Sequence, residues 1–164
     1  MLIKNANNAR KTLTLGALLA SLSLALTGCG ATGAESPTRN IRQVTDGVEG
    51  QINSIKARNV LLVAQEDGSA VLVGTFINTD SASDAIASMS ANGIVAKIDP
   101  AQNELIQNRP VIFAGPTATA KASFAGLNAK PGTRLDLTVN FVVGGPLKLN
   151  VLVVEKADVY ANVG

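Results

Sequence analysis

Residues 134–153 hold the strongest constraint in the sequence. In RLDLTVNF the apolar side chains Leu135, Leu137, Val139 and Phe141 alternate with Arg134, Asp136, Thr138 and Asn140. Successive side chains of an extended chain point to opposite faces, so a period of two puts one set in a core and the other in water. That is the pattern of an antiparallel sheet covered on one face. Gly144-Gly145-Pro146 turns the chain, and Leu147, Leu149, Val151 and Val153 continue the alternation. Pairs such as Leu137 and Val151 read as core, where full burial of each side chain contributes about 1.5–3 kcal/mol.

Upstream, short apolar runs alternate with turn signals. Ile55 and then Asn59–Ala64 read as one or two strands. Gln65-Glu66-Asp67-Gly68-Ser69 is a turn, its Asp-Gly favouring a tight hairpin. Ala70–Asn78 is apolar on both faces, which predicts a central strand, and Thr79–Asp84 is a polar loop. Ala85–Ser90 and Ile94–Ile98 are further strands, separated by Ala91-Asn92-Gly93. Asp99–Asn108 is polar with mixed signals. Pro110–Phe113 and Ala118–Phe124 follow, then a turn at Asn128-Ala129-Lys130-Pro131-Gly132. Seven to nine short strands with no convincing helix and no internal repeat indicate an all-β sandwich or barrel. With Phe76, Phe113, Phe124, Phe141 and Tyr160 as the only aromatics, the core is built from Val, Leu, Ile and Ala. The scarcity of rings also counts against sugar stacking and single-stranded nucleic-acid binding.

The N-terminal segment has a different character. MLIKNANNARK carries Lys4, Arg10 and Lys11 and no acid, and Thr12–Thr27 is uncharged. A basic stretch followed by an apolar one is the layout of an export signal. The uncharged run of 16 residues falls short of the roughly 20 that a membrane-spanning helix needs. Residues 28–33, GCGATG, match G-x-G-x-x-G. A dinucleotide turn, however, requires a strand before the glycines and a helix after them. Here a signal-like segment precedes, and ATGAESPTRN, interrupted by Pro37, follows. Leu26-Thr27-Gly28-Cys29 instead resembles the lipobox of bacterial lipoproteins. That resemblance implies a diacylglyceryl group on the Cys29 sulfur and cleavage between Gly28 and Cys29. Two acyl chains anchor a protein stably where one does so marginally. The expected organisation is therefore a signal at 1–28, lipidated Cys29 and a tether at 29–50, a β-domain at 51–158 and a tail at 159–164. Within the tether, Ile41, Val44 and Val48 offer one apolar face that would pack on the domain. The expected location is the outer face of the cell membrane.

Cleavage changes the charge. Three of the 14 basic residues and none of the 12 acidic ones precede Cys29, leaving 11 against 12, a net −1 in place of +2. No electrostatic footprint for nucleic acid remains. The remaining length suits one small domain. With Cys29 acylated, no thiol is left for a disulfide, and the fold depends on its core.

The run AVLVGTFINTDSASDAIASMSANG, a FAGP turn, LNAKPGTRLDLTVNF and the closing GPLKLNVLVV together resemble PCuAC-type copper-chaperone domains. With the lipobox and tether, the likeness extends to the LpqE-type lipoproteins of actinobacteria. The resemblance spans roughly residues 50–155. It implies an immunoglobulin- or cupredoxin-like antiparallel β-sandwich outside the membrane. It also implies an accessory or assembly role beside the cytochrome bcc–aa3 respiratory supercomplex. The copper ligands do not carry over. Copper-chaperone members hold Cu(I) through His and Met, and this sequence has no His and, after Met1 leaves with the signal, only Met89. Cu(I) requires thiolate, thioether or imidazole donors, and one thioether does not make a site. Lys97–Glu104, where the family places its first ligands, offers only Lys, Asp and Glu. Met89 reads as core filler, and no metal or other cofactor is expected.

Catalysis has little to draw on. There is no histidine base, no free thiol and no Ser-x-x-Lys arrangement, so no enzymatic activity is expected. Glu66-Asp67 belongs to a turn. Asp80 with Asp84 offers either turn chemistry or oxygen ligands for a hard cation, and Asp99 with Glu104 a polar patch. The expected function is a membrane-anchored interaction protein that docks to an envelope or respiratory-complex protein. The alternative is a carrier of envelope lipid or glycolipid, and a copper chaperone ranks below both. Loops 79–84, 99–109 and 114–118 are candidate docking segments, because loops on a rigid sandwich carry binding. Tyr160 is either a contact residue or part of a tail that packs on the sandwich edge or stays disordered.

Overall fold

Eleven strands run in chain order through the computed structural model: β1 (Val48–Ile52), β2 (Ile55–Ala64), β3 (Ala70–Asn78), β4 (Asp84–Ala91), β5 (Ile94–Val95), β6 (Lys97–Asp99), β7 (Asn103–Leu105), β8 (Val111–Phe113), β9 (Lys121–Phe124), β10 (Arg134–Phe141) and β11 (Gly145–Val154). The structure describes residues 45–100 and 103–164, and Thr45–Gly164 is one compact unit. The signal, the Gly28–Cys29 cleavage site and most of the tether lie outside the described residues.

Eight strands form a continuous ladder in the order β5-β4-β10-β11-β2-β3-β9-β6, and β1, β7 and β8 add to β2, β4 and β3. All pairings between these strands are antiparallel except β11 with β2, where Val153 and Val154 run parallel to Leu62 and Val63. β11 thus leaves β10 at its C-terminal end and joins the second half of the molecule. The ends of the ladder are consecutive in sequence. Ile94 and Val95 pair with β4, Lys97–Asp99 pair with β9, and Ala96 makes the crossing, its N–H donating to Met89 O at 2.9 Å. One six-residue stretch therefore closes the sheet on itself, and the reading of Ile94–Ile98 as a single strand is refined into two short strands on different neighbours.

The alternation read in β10 and β11 is the observed one. Leu137, Val139 and Phe141 are buried with Leu147, Leu149, Val151 and Val153. Leu137 faces Leu149 and Leu135 faces Val151 across the ladder. Side chains from both halves meet in one core around Phe76, whose ring lies edge-on to Phe113 at 5.8 Å and to Phe141 at 6.1 Å. Met89 is fully buried in this core, opposite Val139.

β2 changes phase along its length. Ile55 and Ala57 point into the core, but so do Val60 and Leu62. The register slips between Arg58 and Leu61, a β-bulge in which Asn59 adopts φ +49°. One extra residue flips every later side chain to the other face. Leu61 and Val63 consequently point outward and, with Val71, form a second apolar cluster with Val163, flanked by Tyr160. That cluster explains why β3, central as expected between β2 and β8/β9, is apolar on both faces.

Both domain boundaries shift. The sheet begins at Val48, which pairs with Val60, so the last residues assigned to the tether belong to the domain. The tail expected at 159–164 is folded, with a short 3-10 helix at Asp158–Tyr160 and Val163 buried.

Candidate functional site

Three places combine polar side chains with concavity or exposure. The first is the end of the sandwich where the β1–β2 turn, the β3–β4 loop, the residues after β7 and the β10–β11 hairpin come together. Asn78 organises it. Its side chain is 2% exposed, Nδ2 donates to Ala82 O (2.7 Å) and Leu105 O (3.0 Å), and Oδ1 accepts Asp80 N–H (2.9 Å). A buried amide left unpaired would cost on the order of 1–3 kcal/mol; here it ties β3 to its loop and to β7. Asp80 accepts from Ala82 N (3.2 Å), Ser81 Oγ (3.3 Å) and Ser54 Oγ (3.4 Å). Those donors, the Ala82 N–H foremost, hold the Asp80 carboxyl below the usual carboxylate range. Asp84 works elsewhere. Its Oδ1 accepts Ala85 N (2.7 Å) and Val143 N (2.9 Å), and Oδ2 accepts Gly144 N (2.8 Å). The two carboxylates read as turn chemistry or a cation pair are thus engaged by different backbones.

The second place is the outer face of β3 and β9. Lys97, Ser123, Val71, Val63 and Val154 form one row across five strands. Where this row meets the β2–β3 turn lies a hollow of about 610 Å³ lined by Glu66, Asp67, Ser69, Lys121, Ser123 and Lys156. A second hollow of about 160 Å³ shares Val71, Lys121 and Gly164 with it. Asp67 Oδ1 accepts Ser69 Oγ (2.6 Å) and Ser69 N (2.9 Å), which lowers its pKa and closes the turn at Gly68 (φ +78°). Glu66 and Asp67 therefore belong to the turn, as their sequence position implied.

The third is a hollow of about 300 Å³ beside Pro100, Asn103, Glu104, Arg109 and Thr119. Asn103, 4% exposed, donates to Pro100 O at 2.6 Å. Asp99 and Glu104 do not share a strand neighbour: β6 pairs with β9 and β7 with β4. Among the described residues, no three His, Cys, Asp or Glu side chains converge on a common point.

Tyr160 lies in none of these. Its hydroxyl donates to Asp46 Oδ2 at 3.0 Å, joining the C-terminal tail to the first residues of the domain. Of the alternatives open in the sequence, packing on the sandwich is the observed one. The roles of Asp84 and Val163 escaped sequence reading, because each acts on chain far away in sequence.

Neither a protein-family model nor a curated protein matches the sequence. Solved structures match the fold. The apo PCuAC domain from PmoF1 aligns with a TM-score of 0.57 at 18% identity, over 65% of this chain and 98% of that one. The copper-bound PCuAC domain from PmoF2 gives 0.57 at 16% identity, over 66% and 98%. The apo form of that domain gives 0.56 at 15%, over 68% and 98%. The domain therefore has a PCuAC-like, cupredoxin-like fold, and identities this low carry the fold alone.

Proposed function

We propose that this chain is a lipid-anchored accessory protein on the outer face of the cell membrane, using a PCuAC-like domain to dock to an envelope protein rather than to carry copper. One observation carries the reading: the fold of copper-chaperone domains occurs in a chain without histidine, whose Met89 is fully buried opposite Val139. Cu(I) sites are built from thiolate, thioether or imidazole. The hollows offer Lys amines, Ser hydroxyls and carboxylates in their place. Lys97 and Asp99 face Ser123 and Lys121 across the β6–β9 ladder, a surface of hard donors and cations.

The anchor is Cys29 in the Leu26-Thr27-Gly28-Cys29 sequence. The partner class is a membrane-embedded respiratory assembly, the cytochrome bcc–aa3 supercomplex or its assembly intermediates, in line with the likeness to LpqE-type lipoproteins. A lipid or glycolipid carrier is the competing class.

Affinity purification of the full chain from detergent-solubilised membranes separates these. Respiratory subunits recovered in fixed ratio support docking. Lipid recovered without a protein partner supports the carrier and overturns docking. The intact mass is expected to show two acyl chains on a chain beginning at Cys29, and Cys29→Ala to lose them and keep its signal uncleaved; a wild type without acyl mass overturns the anchor.

A further inference from the structure

Two of the most exposed large apolar side chains among the described residues are neighbours: Val142 at 67% and Val143 at 78% exposure, at the tip of the β10–β11 hairpin. β-branched residues are poor choices for a turn, where Gly, Asn, Asp, Pro and Ser serve the backbone better. Local folding therefore gives no reason for them. The tip is also held still. Val142 N donates to Ala85 O (2.9 Å), Val143 N and Gly144 N donate to the Asp84 carboxylate, and the Asn53 amide donates to Gly144 O (3.3 Å). Two other parts of the chain, β4 and the β1–β2 turn, thus fix a knob that displays two valines to water.

Preorganisation lowers the ordering cost of binding to a shaped surface, whereas a fluid bilayer rewards no fixed shape. Charge points the same way. Asp80, exposed in the neighbouring loop, carries a carboxylate's negative charge at neutral pH, which opposes approach to an anionic lipid surface and suits a cationic group on a protein. Ile106 follows Leu105, the strand partner of Asp84, and adds a further exposed apolar side chain at this end. An apolar centre with a polar rim is the anatomy of a docking surface.

We propose that Val142 and Val143 form the knob by which this domain seats in an apolar slot, bordered by a basic side chain, on its envelope protein partner; this rests on the docking reading above. The full lipidated chain, its V142S/V143S variant, Asp80→Asn and a control Val159→Ser, 83% exposed in the tail, are each purified from detergent-solubilised membranes. Circular dichroism establishes that each is folded. The proteins retained by the wild type are then quantified. V142S/V143S is expected to lose about tenfold or more of that material, the scale of a truncated hot spot. Asp80→Asn keeps the acceptor for Ala82 N–H; it is expected to retain less at low salt and to be less sensitive to added salt. Val159→Ser is expected to match the wild type.

Equal retention by V142S/V143S overturns the knob and leaves docking standing. Equal losses in V142S/V143S and Val159→Ser also overturn it. If the wild type retains no protein, the docking reading fails and the knob with it. Binding of the tip to phosphatidylglycerol vesicles, lost in V142S/V143S, or recovery of only a second copy of this chain, would overturn the protein slot.

Discussion

Asn59 sets the facing of half of β2. Its positive φ makes the bulge, and its Oδ1 accepts Gly47 N–H at 3.0 Å. A Cβ on Gly47 would land on the Asn59 backbone. Gly47→Ala is therefore expected to destabilise the domain by about 1–3 kcal/mol, the usual cost of overpacking, read as a lower urea midpoint; an unchanged midpoint overturns the close approach. Tyr160 gives a second test, because it is the only tyrosine. Burial, then the hydrogen bond to Asp46, raises its pKa above the ordinary value. A raised folded-state pKa means that the contact stabilises fully below the unfolded value of about 10. That stability is lost as pH rises through the folded-state value. Phenolate absorbance should titrate above the ordinary midpoint, and Asp46→Asn should bring it down. A wild-type midpoint at the ordinary value would contradict the contact. At this scale, the sequence was legible where one side chain acts on its own turn, as Asp67 does. It was illegible for Asp84, which holds backbone 59 and 60 residues away.

Alternation made β10 visible to the residue, because one buried face imposes a period that survives in sequence. β2 read ambiguously as one or two strands because its bulge inverts the period midway, giving an apolar run at Val60–Val63 with no preferred face. The outward half of that run is covered by the tail, whose backbone hydrogen bonds in Glu155–Gly164 are made within the tail itself. Val163 and Tyr160 are thus what seat it. Val163→Asp is expected to expose Leu61, Val63 and Val71, raise binding of a hydrophobic dye and lower stability by about 1–3 kcal/mol. Dye binding equal to the wild type would show that the tail covers nothing of consequence. Within the core, Met89→Leu is expected to cost less than about 1.5 kcal/mol and Met89→Ala about 2–5 kcal/mol. A larger loss from the isosteric change would argue against packing as the role of Met89.

At the scale of the molecule, 65–68% of the chain matches PCuAC domains in fold at 15–18% identity, so the architecture is shared where the side chains that would declare a function are not. That is why fold class was legible and the site was not: a sandwich tolerates many apolar sequences, while docking depends on a few exposed groups with no required pattern. Titration of the mature protein with Cu(I) is expected to give no binding above background; stoichiometric tight binding would return the chain to the copper chaperones. The closing of the sheet through Ala96 has a further consequence. With the anchor proposed above, copies held in one membrane plane would collide at high local concentration, the setting in which unpaired strand edges template sideways polymerisation. Here the segment 94–99 covers part of the β4 edge with its first half and part of the β9 edge with its second. A crowded layer of these domains should therefore stay a layer of individuals, each hairpin tip left open for the docking proposed above.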